Sequence, residues 1–240
     1  MQPQPIPGSV LDPKIEATER LLESAVREYA PAAFATSLGV EDMVLTDLIA
    51  RRKYAIEIFT LDTGRLPDET HRLMKTVKEK YGIGITVYFS DAGALEGYHV
   101  AHGANAFYDS VELRKLCCHI RKVEPLKRAL AGKRAWITGM RREQAVTRSA
   151  LSASAYDADN GLHKFNPLID WSAAEVWAYI RRFDVPYNEL HDRGYPSIGC
   201  APCTRAITVG EDPRAGRWWW ESADGKECGL HERRPLSKTA

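Results

Sequence analysis

Short apolar runs of strand length alternate with amphipathic helical stretches, polar loops follow the ends of those runs, and one longer helical insertion interrupts the alternation. Together these observations predict an α/β fold in which a mostly parallel sheet carries helices on both faces, followed by a loop-rich C-terminal tail. A chain of 240 residues accommodates one such core as a single domain. Lys+Arg 33 against Asp+Glu 32 leaves no global field for nucleic acid, so any anion site must come from local clustering. No stretch is apolar for long enough to cross a bilayer, and the N-terminus lacks a basic stretch followed by an apolar run. The expectation is a cytoplasmic protein without a membrane partner.

Taken in order, Ile15, Leu21, Leu22, Val26 and Tyr29 recur at helical spacing, and Pro31 closes that helix. Residues 32–38 read as a buried strand running into the loop 37–42, after which residues 43–52 read as a helix with Leu45, Leu48 and Ile49 on one side. A second strand, 55–61, ends in Asp62-Thr63-Gly64, and Pro67-Asp68-Glu69 opens a helix with acids suited to its positive end. Residues 84–89 and 134–138 supply a third and a fourth strand. Between them lies the mainly helical insertion, 92–131, which carries Cys117-Cys118 and in which Pro125 begins or kinks the last helix. Beyond Gly139 a basic loop through Arg141, Arg142 and Arg148 leads into Ser/Ala/Asp/Asn-rich residues that read as mobile loop. Regular structure is expected to resume at Lys164, with 165–168 a short extended piece. Ser172 to Glu175 forms a capping box ahead of Val176, Trp177, Ile180 and Phe183. From Pro186 onward the chain is loop-rich, and residues from about 205 to 240 are expected to form a mobile segment.

The five cysteines divide four and one. Cys117 and Cys118 are adjacent, Cys200 and Cys203 form a C-x-x-C, and Cys228 stands alone. Vicinal disulfides are strained, and an odd count without a secretory signal argues against a disulfide framework. Four thiolates suit an iron-sulfur cluster or a tetrahedral zinc, and spacing does not choose between them; buried, unliganded cysteines are the plain alternative. Cys228 has Lys226 and His231 close in sequence and Arg214 and Arg217 upstream. Such cations lower a thiol pKa from about 8.5 and attract an anion, which makes Cys228 a candidate nucleophile. Trp218-Trp219-Trp220 reads as an anchor for the tail. In parallel α/β sheets ligands bind beyond the carboxyl ends of the strands, where strand order reverses. The loop 37–42 precedes a helix N-terminus there, a setting suited to phosphate or sulfate. Its plain reading is an ordinary βα turn, as a helix N-cap is for Asp62-Thr63-Gly64 and a solvated face for the arginines.

The motifs S-L-G-V-E-D, L-D-T-G, C-C-x-x-R-K-V-x-P-L, I-T-G-x-R-R with the later T-R-S, K-F-N-P-L, G-C-x-P-C-T-R, G-R-W-W-W and K-E-C-G-L-H run from Ser37 to His231. In combination they resemble the family of assimilatory adenylyl-sulfate and 3'-phosphoadenylyl-sulfate reductases. The first motif also resembles the PP-loop of ATP pyrophosphatases, from whose S-G-G-x-D-S form Leu38, Val40, Glu41 and Asp42 depart. The resemblance implies a PP-loop, adenine nucleotide alpha hydrolase-like fold. It implies reduction of adenosine 5'-phosphosulfate to sulfite and AMP through an S-sulfocysteine on Cys228, with one 4Fe-4S cluster per subunit on Cys117, Cys118, Cys200 and Cys203. Substrate contacts are implied for Ser37, Leu38, Gly39, Val40, Glu41 and Asp42, for Leu61, Asp62, Thr63 and Gly64, and for Lys122, Arg142, Arg148, Arg214, Arg217 and His231. Lys122 is placed to link cluster and substrate charge, while the carboxylates of Glu41 and Asp42 are expected to turn away from the anion. A separate thioredoxin or glutaredoxin is the implied reductant, since only twelve residues follow Cys228. Within the family the alternative substrate is the 3'-phosphorylated nucleotide. Outside it, the alternative is a zinc-stabilised PP-loop protein that binds a nucleotide or tRNA. The sequence leaves homo-oligomerisation open.

Overall fold

The computed structural model describes residues 8–144 and 151–221. Strands β1 (Ala32–Ala35), β2 (Ile56–Asp62), β3 (Thr86–Phe89), β4 (Ala135–Ile137), β5 (Ser154–Asp157) and β6 (Leu162–Phe165) join in one sheet of order β3-β2-β1-β4-β6-β5. Every neighbouring pair is parallel except β5 with β6. From β1 the chain winds outward to β2 and β3, then crosses back to place β4 on the other side of β1. The strand order therefore reverses between β1 and β4, and a crevice opens beyond their carboxyl ends.

Helices cover both faces. On one, α1 (Gly8–Glu28), α2 (Val40–Arg52), α3 (Asp68–Tyr81) and α7 (Ala173–Arg182) contribute Leu22, Met43, Leu73, Val77 and Val176 to a core shared with Phe34, Ile58 and Ile137 of the strands. On the other, α6 (Glu124–Leu130) lays Leu126, Ala129 and Leu130 against Ala33, Phe59 and Trp136. Period-2 alternation along β1 sends Phe34 to the first face and Ala33 to the second. Fully burying a side chain of this size contributes about 1.5–3 kcal/mol, so the two faces together supply most of the driving force.

Several boundaries differ from expectation, each for a local reason. β1 stops at Ala35 rather than 38, because Leu38 takes a left-handed conformation (φ 60°), although Thr36 N–H still donates to Phe59 O (2.8 Å). α2 starts at Val40, with Gly39 as an extended N-cap and Glu41 and Asp42 in the first turn, where acids oppose the helix dipole. The residues read as mobile loop contain a hairpin: β5 pairs with β6 around a turn in which the Asp157 carboxylate accepts the N–H groups of Asp159 (3.2 Å) and Asn160 (3.3 Å). Gly161 (φ 67°) closes that turn, and the strand pattern of β6 precedes the extended piece expected at 165–168. Asn166 then ties the β4 loop to this hairpin, accepting from Thr138 Oγ1 (2.6 Å) and donating to Ser152 O (2.9 Å).

The capping box at Ser172 forms as predicted, with Glu175 N–H donating to Ser172 Oγ and Ser172 N–H to Glu175 Oε2. Pro125 sits in the first turn of α6. Among the described residues no helix is long and apolar enough to cross a membrane.

Asp47 pins three helices together: it accepts hydroxyl protons from Tyr179 of α7 (2.6 Å) and Tyr81 of α3 (3.0 Å). Burial, and then the Asp47 charge and hydrogen bonds, push both phenols well above their ordinary range. Tyr179→Phe removes one donor from this buried carboxylate and is expected to cost about 1–2 kcal/mol. Urea unfolding followed by circular dichroism checks this, and an unchanged midpoint would count against the clamp.

A thiol-lined candidate site beside the switch-point cleft

A cavity of about 970 Å³ opens at the crevice, walled by the loops after β1, β2 and β4 and, opposite them, by residues 196–199 and 207–218. The β1 loop is held from within. Leu38 N–H donates to Thr36 Oγ1 (3.0 Å), and the Asp42 carboxylate folds back to accept both Ser37 N–H (2.6 Å) and Ser37 Oγ–H (2.7 Å). Burial pushes the Asp42 carboxyl up to about 7, against the lowering effect of the Ser37 donors. Glu41 turns instead onto Arg141, whose Nε donates to Glu41 Oε1 (2.9 Å) while its Nη1 donates to Glu143 Oε2 (2.9 Å). Neither carboxylate is left facing the cavity alone.

The thiol centre is built by two segments. α4 (Ala92–His102) and α5 (Val111–Cys118) belong to the insertion, and a π-helical turn (His119–Val123) joins α5 to α6. Helical spacing brings Arg114, Cys117, Cys118 and Arg121 to one side, since residues three and four apart are neighbours. The second segment is a 3-10 turn, Ala201–Cys203, in which Cys203 N–H donates to Cys200 O (2.9 Å). It is tied to the β2 loop by Ala201 N–H to Arg65 O (2.8 Å) and to the tryptophan run by Trp218 N–H to Cys203 O (3.1 Å). Cys117, Cys118, Cys200 and Cys203 are all buried and free of disulfides, and all four line one small cavity with Arg65, Arg114, Arg121 and Lys122.

Charge around these sulfurs is uneven. Burial raises the Cys203 thiol to about 12, with Cys200 adding to the effect, and burial likewise raises Cys117 despite the Arg121 charge and hydrogen bond. For Cys200 burial is outweighed by Lys122, the Thr63 hydroxyl 3.3 Å away, Arg217 and Arg121, so its thiol falls below the ordinary value. Arg121 also donates to Thr63 O. The Asp62-Thr63-Gly64 turn thus touches the thiol centre on one side and the large cavity on the other.

Of the residues expected to contact substrate, Ser37, Gly39, Val40, Glu41, Asp42, Leu61, Thr63, Lys122, Arg214 and Arg217 line the large cavity. Three do not. Leu38 is buried in the core, Asp62 holds Gly64 N–H (2.8 Å) and His71 (3.0 Å), and Gly64 supplies the left-handed turn (φ 67°). Arg142 also lies away from the cavity: its guanidinium pairs with Asp170 and reaches Leu151 O, because the turn after β4 swings Arg141 inward in its place. Arg148, Cys228 and His231 fall outside the described residues. Lys122, Cys200 and Trp218 line both cavities and form the wall between them. Of the segment expected to be mobile, residues 205–221 are held by the Arg205–Glu211 pair, the Thr204–Arg217 bridge and the buried Arg114–Glu221 pair (2.8 Å). Trp218 is buried among the cysteines and Trp220 packs on Tyr108, as an anchoring role requires.

The sequence reading named Arg141 within the basic loop but not among the expected contacts, and it passed over Arg114 and Arg121. Arg114 and Arg121 carried a signal, their spacing of three and four residues from the cysteine pair; Arg141 carried none that separates it from Arg142.

The fold and the site define the class, an α/β protein whose switch-point cleft is separated by Lys122, Cys200 and Trp218 from a buried group of four thiols. The phosphoadenosine phosphosulfate reductase domain matches residues 31–206. The chain belongs to that family. The adenosine 5'-phosphosulfate reductase of Allochromatium vinosum is 60% identical over 217 residues, covering 90% of this chain and 85% of the relative. The enzyme of that name from Burkholderia cepacia is 56% identical over 218 residues, covering 91% and 87%. Among solved structures, the phosphoadenylyl-sulfate reductase from Candida auris in a phosphate complex aligns with a TM-score of 0.68 at 27% identity, over 86% of this chain and 100% of that one. The Candida glabrata FMN adenylyltransferase with ATP shares the fold (TM-score 0.58, 17% identity, 85% and 68% covered).

Gly199 lies under Arg217, and a Cβ there would overlap the guanidinium. Gly199→Ala is therefore expected to displace Arg217 and weaken AMP binding about tenfold, in line with loss of a charged hydrogen bond. Isothermal titration with AMP measures this, and unaltered affinity would remove Arg217 from the anion site.

Proposed function

We propose that the protein reduces adenosine 5'-phosphosulfate to sulfite and AMP, using Cys228 as nucleophile and a separate thioredoxin or glutaredoxin as reductant, in the assimilation of sulfate. The observation that carries this reading is the shared wall of the two cavities, Lys122, Cys200 and Trp218, which sets the cleft, with Lys122, Arg214 and Arg217 in its lining, directly against a thiol quartet. The relatives of 50–60% identity named for this activity support it.

In the reading, the nucleotide lies in the switch-point cleft with Lys122, Arg214 and Arg217 about its sulfate and phosphate. Fixed cations near that end offset the repulsion between substrate anion and attacking thiolate. The Cys228 thiolate attacks the sulfate sulfur; a sulfur-sulfur bond forms, the sulfur-oxygen bond to AMP breaks, and AMP leaves with the electron pair. A thiolate of the reductant then attacks Cys228 Sγ and sulfite departs with the pair of electrons from the sulfur-sulfur bond. A second thiol of the reductant resolves the mixed disulfide, so one dithiol is oxidised per sulfite formed.

Four reduced, buried thiols facing one cavity, two of them beside arginines, fit a thiolate-ligated 4Fe-4S cluster, one per subunit, on Cys117, Cys118, Cys200 and Cys203. When bound, the cluster would supply charge and rigidity beside the substrate; the reaction requires no change in its oxidation state.

Intact-mass measurement after incubation with adenosine 5'-phosphosulfate, without reductant, is expected to reveal one added SO₃ group, absent in Cys228→Ser. An unmodified wild type under active conditions would overturn the mechanism. A second outcome separates the cysteines: Cys228→Ser keeps iron, sulfide and colour but forms no sulfite, whereas Cys203→Ser loses the colour and unfolds at lower temperature. Equal behaviour of the two variants would refute the division into ligands and nucleophile. A higher kcat/KM for the 3'-phosphorylated nucleotide would reassign the substrate.

A further inference from the structure

The large cavity has a second end, away from the thiols, where the β1 and β4 loops meet. The contacts there are dense. Asp42 Oδ2 accepts Ser37 N–H at 2.6 Å and Ser37 Oγ–H at 2.7 Å, and the Gly139 N–H of the β4 loop also points to this carboxylate. Gly139 has no room for a side chain, since a Cβ would overlap Asp42 Oδ1 and crowd Asp42 Cγ. One buried carboxylate therefore bridges the two loops that flank the reversal of strand order, and glycine is required opposite it for steric reasons.

We infer that Asp42 is a positioning residue, a clasp that joins the β1 loop to the β4 loop and fixes the mouth of the nucleotide cleft. It uses donors that would otherwise bind an anion directly, so the nucleotide meets the loop in a shape Asp42 has set. The remaining N–H groups of the first turn of α2, those of Val40, Glu41 and Asp42, stay at the cleft because the first intrahelical bond is Met43 N–H to Gly39 O (3.0 Å). The kinetic consequence rests on the proposed nucleotide reading; the clasp itself does not.

The charged groups around Asp42 are Glu41 on α2 and, on the β4 loop, Arg141 with Glu143; the β1 loop contributes no ionisable group, and His191 lines the cavity opposite. Burial, the largest effect, raises the Asp42 carboxyl to about 7, and Glu41 adds to it. Because the carboxyl pKa is higher in this buried place than in water, protonation favours the place: the stability it contributes is present at low pH and is lost as pH rises through about 7, where the cost of burying the charge outweighs the three donors. The clasp should loosen as pH rises through neutrality.

Three measurements on the full chain test this. In a two-dimensional NMR titration from pH 5.5 to 8.5 without nucleotide, the Ser37 and Gly139 amides should shift together with one midpoint, and in Asp42→Asn that shared transition should vanish. Absence of a common transition in the wild type, or its survival in Asp42→Asn, would overturn the clasp whatever the substrate is. In steady-state kinetics with adenosine 5'-phosphosulfate, wild-type KM should rise as pH rises through about 7, while Asp42→Asn should show a flat KM raised about tenfold at pH 6 and kcat within about threefold. An unchanged KM for the variant, or a loss confined to kcat, would overturn the positioning role. Failure of turnover with every sulfated nucleotide in the wild type would instead defeat the substrate reading and leave the NMR result standing. Finally, Gly139→Ala should lower Tm, and Gly139→Ala combined with Asp42→Ala should recover most of the loss by relieving the overlap. A double variant no more stable than Gly139→Ala alone would place the strain elsewhere and refute the contact.

Discussion

Negative charge set beside negative charge is the constraint on which this molecule depends. In the proposed reaction a thiolate-ligated centre, a nucleotide phosphate and sulfate, and an attacking thiolate all lie within one region. Two unit charges 4 Å apart interact by about 4 kcal/mol at an effective dielectric of 20, so unmatched repulsion of that size would exclude the substrate. The chain answers with buried cations held rigidly in place. Arg114 and Arg121 reach the thiol centre from α5 and the π-turn, Lys122 stands between that centre and the cleft, and Arg217 lines the cleft while its charge acts on Cys200. Arginine suits the buried positions because it stays charged on burial and offers several donors in a fixed plane. Arg114 divides them between Cys118 and the buried Glu221, and its guanidinium lies 4.7 Å over the Trp218 ring.

Rigidity of the cleft follows from the same economy of buried polar groups. The β1 loop contains a left-handed leucine, the β2 turn a left-handed glycine, and the β4 loop a glycine packed against a carboxylate. Each departure from regular backbone is tied by short hydrogen bonds to a neighbour: Leu38 N–H to Thr36, Gly64 N–H to Asp62, Arg142 N–H to Ile169 O. Loops of this kind are preorganised, which spares the ordering cost that binding would otherwise incur.

Much of this was legible in the sequence because it rests on local rules. Alternating strand and helix patterns gave the parallel sheet, and the positions of Ser172 and Glu175 gave the capping box, since both depend on residues a few positions apart. Clustering of the cysteines was legible from the adjacent pair and the C-x-x-C. What could not be read were long-range choices. Arg141 and Arg142 are indistinguishable as letters, and only the direction of the turn after β4 sends one inward and the other to Asp170. The hairpin of β5 and β6 was hidden because its strands S-A-Y-D and L-H-K-F are short and polar, and their pairing is decided by the Asp157 turn and the neighbouring β4 edge. The identity of Gly139 was visible, while its partner, 97 positions upstream in the chain, was not.

The fold by itself carries little of the chemistry. An adenylyltransferase with 17% identity shares it, so the sheet and its switch point account for a cleft and no more. The distinguishing parts are two additions at the edge of that cleft: the insertion between β3 and β4, which delivers Arg114, Cys117, Cys118, Arg121 and Lys122, and the segment after α7, which delivers Cys200, Cys203, Arg217 and Trp218. Neither forms the centre alone, because each brings two of the four sulfurs. They are joined through the β2 loop, where Arg65 O accepts Ala201 N–H and Thr63 touches both Cys200 and Arg121. Assembly of the thiol centre therefore fixes the β2 loop at the floor of the cleft, and any group bound by the four sulfurs must stiffen the cleft as well. Through that loop the centre can influence the cleft without exchanging an electron with its ligand.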